Sequence, residues 1–428
     1  MSNSTIRRAW SDPYRRRWVL WGILAVSFLL VNVYRLSTAV LAGDLMDALG
    51  TTGAQLGTLH AMFFLVYALL QIPTGVLVDR IGPRMTAASG GAVMNVGAIW
   101  FALADTYVSA LGGRFLVGLG GSVIFVSLLG FCANWYRVDE FGTMNGISFG
   151  VSGVGGILAT TPLAVAVSLA GWRTVLLGLA GFGLAMSALV VLLVRDSAEH
   201  AGLEPIEDTP EQSRPSVGEI RTYLGRILAD RWIWVAAVML YCVGGINLTL
   251  LGLWGIPYVV QVYGVSVTTA STITLLGGIG TVIGPPAFGW VTDRIGRRSE
   301  FILASTVGYT IAVGTIALLG DPPLVVVGAA FFLVGALFGA VVLTYPMVRE
   351  RFDERASGIA LGTINGAAFF GAASFPTLMG WVLDVYWTGE LLDGVRVYTM
   401  AGYRVAFAIG TLAGVVALVC AVRIHRTA

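Results

Sequence analysis

Two arginines, Arg35 and Arg114, interrupt long apolar stretches of this sequence and call for a chemical explanation. A guanidinium inside an apolar, membrane-length segment costs about 3 kcal/mol on insertion scales unless it finds a partner or a wet cavity. Its planar fork of donors suits a carboxylate or a phosphate. Asn32 lies three residues before Arg35 and shares its helical face, and Tyr34, Ser37 and Thr38 add hydroxyls close by. This group suggests recognition of an anion, against the blander reading of an arginine satisfied by backbone carbonyls. No Asp or Glu lies near the middle of an apolar run, since Asp44, Asp79, Asp105, Asp293, Glu300 and Asp384 all fall near the ends. An Arg35 without an internal counter-charge expects its anion from outside, as substrate. His60 could titrate within its run, its ordinary pKa being about 6.5, or serve only in packing.

The second half of the chain offers Asn247, Trp254 and Tyr258, separated by seven and then four residues, which form one helical stripe, and Asn365 further on. A cavity wall is one reading of that stripe, and helix packing with an interfacial aromatic belt is the other. Cys132, Cys242 and Cys420 lie in apolar runs without metal-ligand spacing and read as small buried residues. No nucleotide-binding glycine loop, metal cluster or catalytic triad is readable, so neither an enzyme nor an ATP-driven pump is expected, and no cofactor or metal.

The elements that must position these residues are membrane helices. Of 428 residues, 56% are hydrophobic and only 12% are charged, about half the charged share of a soluble domain. The net charge of +2 gives no reason to expect nucleic acid. A spanning helix needs about 20 mostly apolar residues. Twelve stretches qualify. In the first half they are Trp18–Ala42, Ala54–Val78, Met85–Ala104, Tyr107–Phe131, Thr143–Leu169 and Trp172–Val194. In the second they are Trp232–Val262, Thr268–Val291, Phe301–Leu319, Pro323–Met347, Ser357–Val385 and Tyr403–Val422. The expected fold is an all-α integral membrane protein with two pseudo-symmetric six-helix bundles. The expected domains are a tail over 1–17, a bundle over 18–194, a polar linker over 195–230, a second bundle over 231–422 and a tail over 423–428.

All 26 basic residues are arginine. They concentrate in the N-terminal tail, the linker and alternate loops, leaving Arg173, Arg396 and Arg404 on the other side. Arginine near helix ends in short loops favours the cytoplasm, so both termini and the linker are expected there, in the plasma (inner) membrane. The Arg-rich start has no credible cleavage site and reads as the flank of a retained first helix.

The halves repeat. Gly75-Val-Leu-Val-Asp79-Arg80-Ile-Gly82 returns as Gly289-Trp-Val-Thr-Asp293-Arg294-Ile-Gly296, 214 residues on, which is half the chain. Asp139-Glu140 returns as Asp353-Glu354 at the same offset, and Gly142-Thr-Met-Asn-Gly146 as Gly362-Thr-Ile-Asn-Gly366. Parallel halves with a solute site between them near the midplane are a known transporter design. In the paired loops, Gly75 and Gly289 are expected to let helices approach closely and Gly82 and Gly296 to permit a tight turn. Asp79 and Asp293, with Arg80, Arg84, Arg294 and Arg297, could form charge contacts that hold one conformation closed.

With these motifs the chain resembles the major facilitator superfamily. Gly75, Leu77, Asp79, Arg80, Gly82 and Arg84 match that family's loop between helices 2 and 3, although Pro83 replaces a usual basic residue. Arg114 in Arg114-Phe-Leu-Val-Gly118-Leu-Gly120 resembles the helix-4 arginine motif, which the family ties to packing and sometimes to proton coupling. Trp135-Tyr136, the Glu140–Gly146 segment and Gly171-Trp172-Arg173, with Arg35 in helix 1, are similar to the anion:cation symporters and organophosphate:phosphate antiporters. The resemblance implies a substrate-binding arginine in helix 1 and rocker-switch alternating access. The function expected is secondary transport of a small organic anion by a monomer in the bilayer, coupled to a proton or counter-anion or not at all. Efflux of hydrophobic or cationic compounds, and a non-transporting membrane sensor on the same fold, are the alternatives.

Overall fold

The computed structural model describes residues 12–209, 217–352, 354–392 and 395–427. Twelve long helices account for nearly all of it. In the first half α1 is Pro13–Leu36, α2 Gly53–Ile81, α3 Pro83–Ala102, α4 Tyr107–Trp135, α5 Val138–Leu158 with Thr161–Ala170, and α6 Trp172–Leu193. In the second half α7 is Arg231–Tyr263, α8 Val267–Ile295, α9 Arg298–Leu319, α10 Leu324–Arg351, α11 Glu354–Val385 and α12 Met400–Thr427. Eleven have the length and apolarity of spans, counting α5 as one span bent by 43°. The twelfth, α3, is 20 residues long, enough to cross, but is diluted by Pro83, Arg84, Thr86, Ser89, Asn95 and glycines. That dilution has a packing cause. A Cβ on Gly97 would stand 2.7 Å from the Val117 nitrogen, and one on Gly120 2.3 Å from the Met94 nitrogen, so α3 and α4 touch backbone to backbone.

Start signals are local. At α2 the Thr52 hydroxyl accepts from Gln55 N at 3.2 Å while Gln55 Oε1 accepts from Thr52 N at 3.0 Å, a reciprocal cap. Ser266 caps α8 by accepting from Thr269 N at 3.2 Å. α2 and α8 then stop at Gly82 (φ 86°) and Gly296 (φ 73°), where only glycine turns freely. α1 begins at Pro13, capped by Asp12, so Arg15, Arg16 and Arg17 are its opening turns and not a free tail. α12 likewise continues helical to Thr427, past the expected boundary at 422.

The repeat extends to the irregularities. α1 ends in a 3-10 turn, Ser37–Ala39, and α7 carries a π turn, Leu250–Trp254, at the corresponding place. α4 breaks at Ser122 and Val123, and α10 at Val342 and Leu343. Mid-span departures of this kind mark functional positions more often than plain stretches of helix do.

One end of the molecule carries both termini and the linker; the other is called the far end here. At the linker end each half ties its first helix to a later one, α1 to α5 in the first half and α7 to the end of α10 in the second. Arg17, 5% exposed, donates to both Glu140 oxygens at 2.7 and 2.6 Å and lies over the Tyr136 ring at 4.5 Å. The second half reverses the polarity, with Asp230 accepting from Arg351 Nε at 2.8 Å. A 13-residue helix, Val217–Ala229, lies inside the expected linker, and two further structures were not expected from sequence: a short helix, Ala42–Leu49, after α1, and an antiparallel hairpin of β1 (Trp387–Leu392) and β2 (Val395–Tyr398) between α11 and α12. Both lie at the far end, where Val395 rests 3.6 Å from a Cβ built on Gly43.

Candidate functional site

The halves meet along α2 and α11. A Cβ on Gly53 would stand 2.8 Å from the Gly380 carbonyl, and one on Gly57 would fall inside the backbone at Pro376 and Thr377. Cross-half hydrogen bonds cluster at this far end. Asp384 on α11 accepts from the α2 backbone at Gly53 N (2.7 Å) and Ala54 N (2.8 Å), an anion on a helix N-terminus. Arg396 holds that carboxylate at 3.2 Å and the Tyr398 hydroxyl approaches it at 3.5 Å. Burial and the Asp384 charge push the Tyr398 phenol up from its ordinary pKa. Gln261 on α7 holds the hairpin by donating to the Arg396 carbonyl at 3.0 Å and accepting from Tyr398 N at 3.1 Å. Thr58 meets Thr377 at 3.3 Å, and Thr161 on α5 meets Thr272 on α8 at 3.2 Å.

Toward the linker end these helices carry exposed side chains, though α5 and α8 still touch where a Cβ on Gly153 would stand 2.6 Å from Val282. Leu69 on α2 is 60% exposed, Phe149 on α5 60% and Ile283 on α8 51%. Gly75 and Gly289 do not make the close approach expected of them, since a Cβ at either meets nothing within 4 Å. The side chains of Asp79 and Asp293 lie outside the described residues. Arg80 is exposed, Arg84 N donates to Asp196 at 2.8 Å, Arg294 stacks on Trp290 at 3.7 Å and Arg297 pairs with Glu300 at 3.4 Å.

Between the seal and the opening lies a polar cluster, with Arg35 at its centre. Arg35 is half-buried on α1; its Nη2 reaches Ser152 Oγ on α5 at 3.5 Å and its Nε has no acceptor. Ser152 in turn donates to Asn32 Oδ1 at 2.6 Å, and Asn32 donates to the Phe28 carbonyl at 2.8 Å. Tyr67 on α2 is near enough to interact with the Arg35 charge and pairs with Gln71. Across the interface, Phe369 of α11 packs on Tyr67 at 4.6 Å. No carboxylate pairs with Arg35 among the described residues.

Arg114 is placed differently. It is 1% exposed, donating Nε to the Leu59 carbonyl at 3.1 Å and Nη1 to the Tyr34 carbonyl at 2.8 Å. It binds α4 to α2 and α1, with Phe63 and Phe101 over its plane at 5.8 and 5.7 Å. The Tyr34 hydroxyl is taken by Asn95 at 3.0 Å. His60 is fully buried beneath Gly252 of the π turn. The Leu248 carbonyl acts on its ring, but neither ring nitrogen has a partner with hydrogen-bond geometry. Thr38 is also buried with its hydroxyl unpartnered. The α7 residues point into packing: Asn247 donates to Val334 O at 3.3 Å, Trp254 to Pro376 O at 3.1 Å and Tyr258 to Gly320 O at 2.7 Å. Asn365 accepts from Tyr345 at 2.8 Å.

The structure thus brings Arg35, Asn32 and His60 to the interface and adds Ser152, Tyr67, Gln71 and Phe369, which the sequence reading passed over. A signal for two of these existed. His60, Phe64, Tyr67 and Gln71 recur at helical spacing on α2 and draw a polar-aromatic stripe facing the other half.

A fold of two six-helix halves with a polar cluster between them defines a polytopic membrane protein of the transporter type. The sequence model of the Major Facilitator Superfamily matches residues 20–266 and again 239–427, and the chain belongs to that family. Membrane sensor protein UhpC of Salmonella typhimurium is 25% identical over 398 residues, 88% of this chain and 87% of that protein. The D-galactonate transporter of Escherichia coli O6:H1 is 22% identical, with 92% and 95% covered. A bacterial homolog of the human lysosomal transporter Spinster, solved in an inward-facing and unoccupied conformation, superposes with a TM-score of 0.77 at 17% identity, covering 96% of this chain and 97% of that one.

Proposed function

We propose that this protein is a secondary transporter of a small organic anion, working by rocker-switch alternating access, with Arg35 as the group that binds the anion. One observation carries this reading: Arg35 sits at the interface of the halves, half-buried, with an unfilled donor and no carboxylate partner among the described residues. A cation so placed in a membrane-embedded site is stabilised by a ligand charge. Asn32, Ser152, Tyr67 and Gln71 would orient the anion's polar groups. The relative named as a D-galactonate transporter favours the same reading.

The conformation fits one half of a transport cycle. The far end is sealed by Asp384 on the α2 N-terminus, and α2, α5 and α8 expose side chains toward the linker end. With the termini and linker in the cytoplasm, as the arginine distribution predicts, this is an inward-facing state. Gly75 and Gly289, with the charged groups of their loops, would then pack only when the linker end closes. Coupling to a proton or a counter-anion is compatible with the site.

A sensor role has one point in its favour, the likeness to membrane sensor protein UhpC. A single experiment separates the readings. Purified protein is screened by thermal shift against carboxylates, sugar acids and phosphorylated metabolites, beside Arg35→Gln, and each hit is then tested for uptake in proteoliposomes. Binding to the folded state raises apparent stability by mass action. An anion that stabilises the wild type, not Arg35→Gln, and that accumulates in vesicles is the expected result. Binding without flux selects the sensor. Stabilisation by hydrophobic cations alone, untouched by the mutation, would transfer Arg35 to a structural role and point to efflux.

A further inference from the structure

We infer that the central site selects singly charged organic acids carrying hydroxyl groups and discriminates against dianions; this rests on the reading of Arg35 as the anion-binding group. The argument is an inventory of positive charge. The sequence has no lysine, and Arg35 and Arg114 are the arginines in the middle of apolar spans. Arg114 commits Nε and Nη1 to the carbonyls of Leu59 and Tyr34; its Nη2 has no partner, but the residue is 1% exposed, out of a ligand's reach. At the far end the three remaining candidates are also committed. Arg173 donates to the Ala102 and Ala104 carbonyls and to Asp105, Arg404 to the Ala317 and Leu318 carbonyls, and Arg396 to Asp384. His60 is sealed beneath Gly252 with no exposed surface. One guanidinium therefore addresses the ligand among the described residues.

The rest of the cluster is neutral. Ser152, Asn32, Tyr67 and Gln71 offer hydroxyls and amides that exchange hydrogen bonds with an alcohol but cannot neutralise a second negative charge. A carboxylate or sulfonate head matches Arg35 one to one. A second carboxylate, or a phosphate ester with its charge of about −2 at neutral pH, would bring into a water-poor site a charge that nothing on the protein balances. The recognised chemistry is one anionic head on a hydroxylated chain.

The test uses anions matched in skeleton, so that charge is the variable. The purified full chain is titrated by thermal shift, at constant ionic strength, with D-gluconate against D-glucarate and 6-phospho-D-gluconate, and with isethionate against sulfoacetate. In each set the monoanion is expected to bind at least about tenfold more tightly. Gln71→Arg, which adds a cation beside Tyr67, is expected to narrow or invert the ratio; Ser152→Arg serves the same end should the first variant not fold, and the wild-type ratio stands independently of both. Dianions that bind wild type as tightly as their monoanions would overturn the inference and leave Arg35 as an anion site intact. No stabilisation by any of these anions would sink both.

Discussion

Arginine does three jobs in this molecule, and the surroundings of each guanidinium say which. Arg17 makes an ion pair that holds α1 to α5, and Arg351 one that holds the end of α10 to the start of α7. Arg173 and Arg404 bind the carbonyls that end α3 and α9, where a cation suits the negative end of the helix dipole. Those two stand on the side that charge bias would leave empty, and capping explains the exception. Arg114 joins three helices through carbonyls and is 1% exposed, whereas Arg35 is half-buried and makes one long contact, to Ser152; each keeps one unpartnered donor, Nη2 on Arg114 and Nε on Arg35. Their neutral substitutions should separate accordingly. Hydrogen bonds from a charged donor are worth about 1.5–3 kcal/mol each. Arg114→Gln, losing two, is expected to cost about 3 kcal/mol of stability, and Arg114→Lys should recover little because an ammonium lacks the fork. Arg35→Gln is expected to leave the ligand-free melting temperature within about a degree or two of wild type while abolishing the ligand-induced shift. Equal destabilisation by both in detergent melts would show that Arg35 is structural.

The decisive elements are α2 and α11, whose far halves interlock and whose Gly75 level has room for a side chain. A bulky residue should therefore have opposite consequences along α2. Gly57 has no room, because its Cβ would lie 2.3 Å from the Pro376 carbonyl, so Gly57→Trp is expected to block closure of the far end. Gly75 has open space here, so Gly75→Trp should be tolerated and should hinder closure of the linker end. Distances between spin labels placed across each end would read the two shifts, and a matching shift for both variants would contradict this account of the interface. Asp384 adds an electrostatic latch. Asp384→Asn keeps the shape and removes the charge from the α2 N-terminus. The expected loss is about 1 kcal/mol, a roughly fivefold shift toward an open far end. The rate of alkylation at Thr58→Cys measures it, against native cysteines that are all buried. An unchanged rate would reduce the carboxylate to a spectator.

At the scale of the whole molecule, the proposed cycle would rock two similar halves about the centre, where Arg35 lies. Orientation in the bilayer decides which compartment the open end serves. A cysteine at Thr388, in the exposed hairpin, is expected to react with a membrane-impermeant reagent on intact cells, and one at Ser197, in the linker, only after lysis. The reverse pattern would turn the state outward-facing and remove the charge-bias argument with it. Uptake driven by an imposed pH gradient, compared with exchange against preloaded anion, would then assign the coupling.

Twelve spans, two parallel halves and a membrane arginine beside Asn32 were all legible in the amino-acid sequence. Each is a matter of local composition: hydropathy marks a helix that the bilayer will accept, and a repeat is visible as a repeated string. The paired glycines at 82 and 296 could be read as turns for the same reason. What the sequence left open needed contacts between residues far apart in the chain. Arg35 and Arg114 look alike as strings, and only packing shows that two carbonyls from α1 and α2 occupy one of them. Asn247, Trp254 and Tyr258 form a stripe on paper, but a π turn between them and three unrelated carbonyl acceptors take them into packing. The hairpin at 387–398, the Asp384 latch, and the meeting of Ser152, Tyr67 and Phe369 around Arg35 are properties of the interface between halves. Which end of that interface is closed is decided by tertiary contacts between α2 and α11, which no local stretch of sequence encodes.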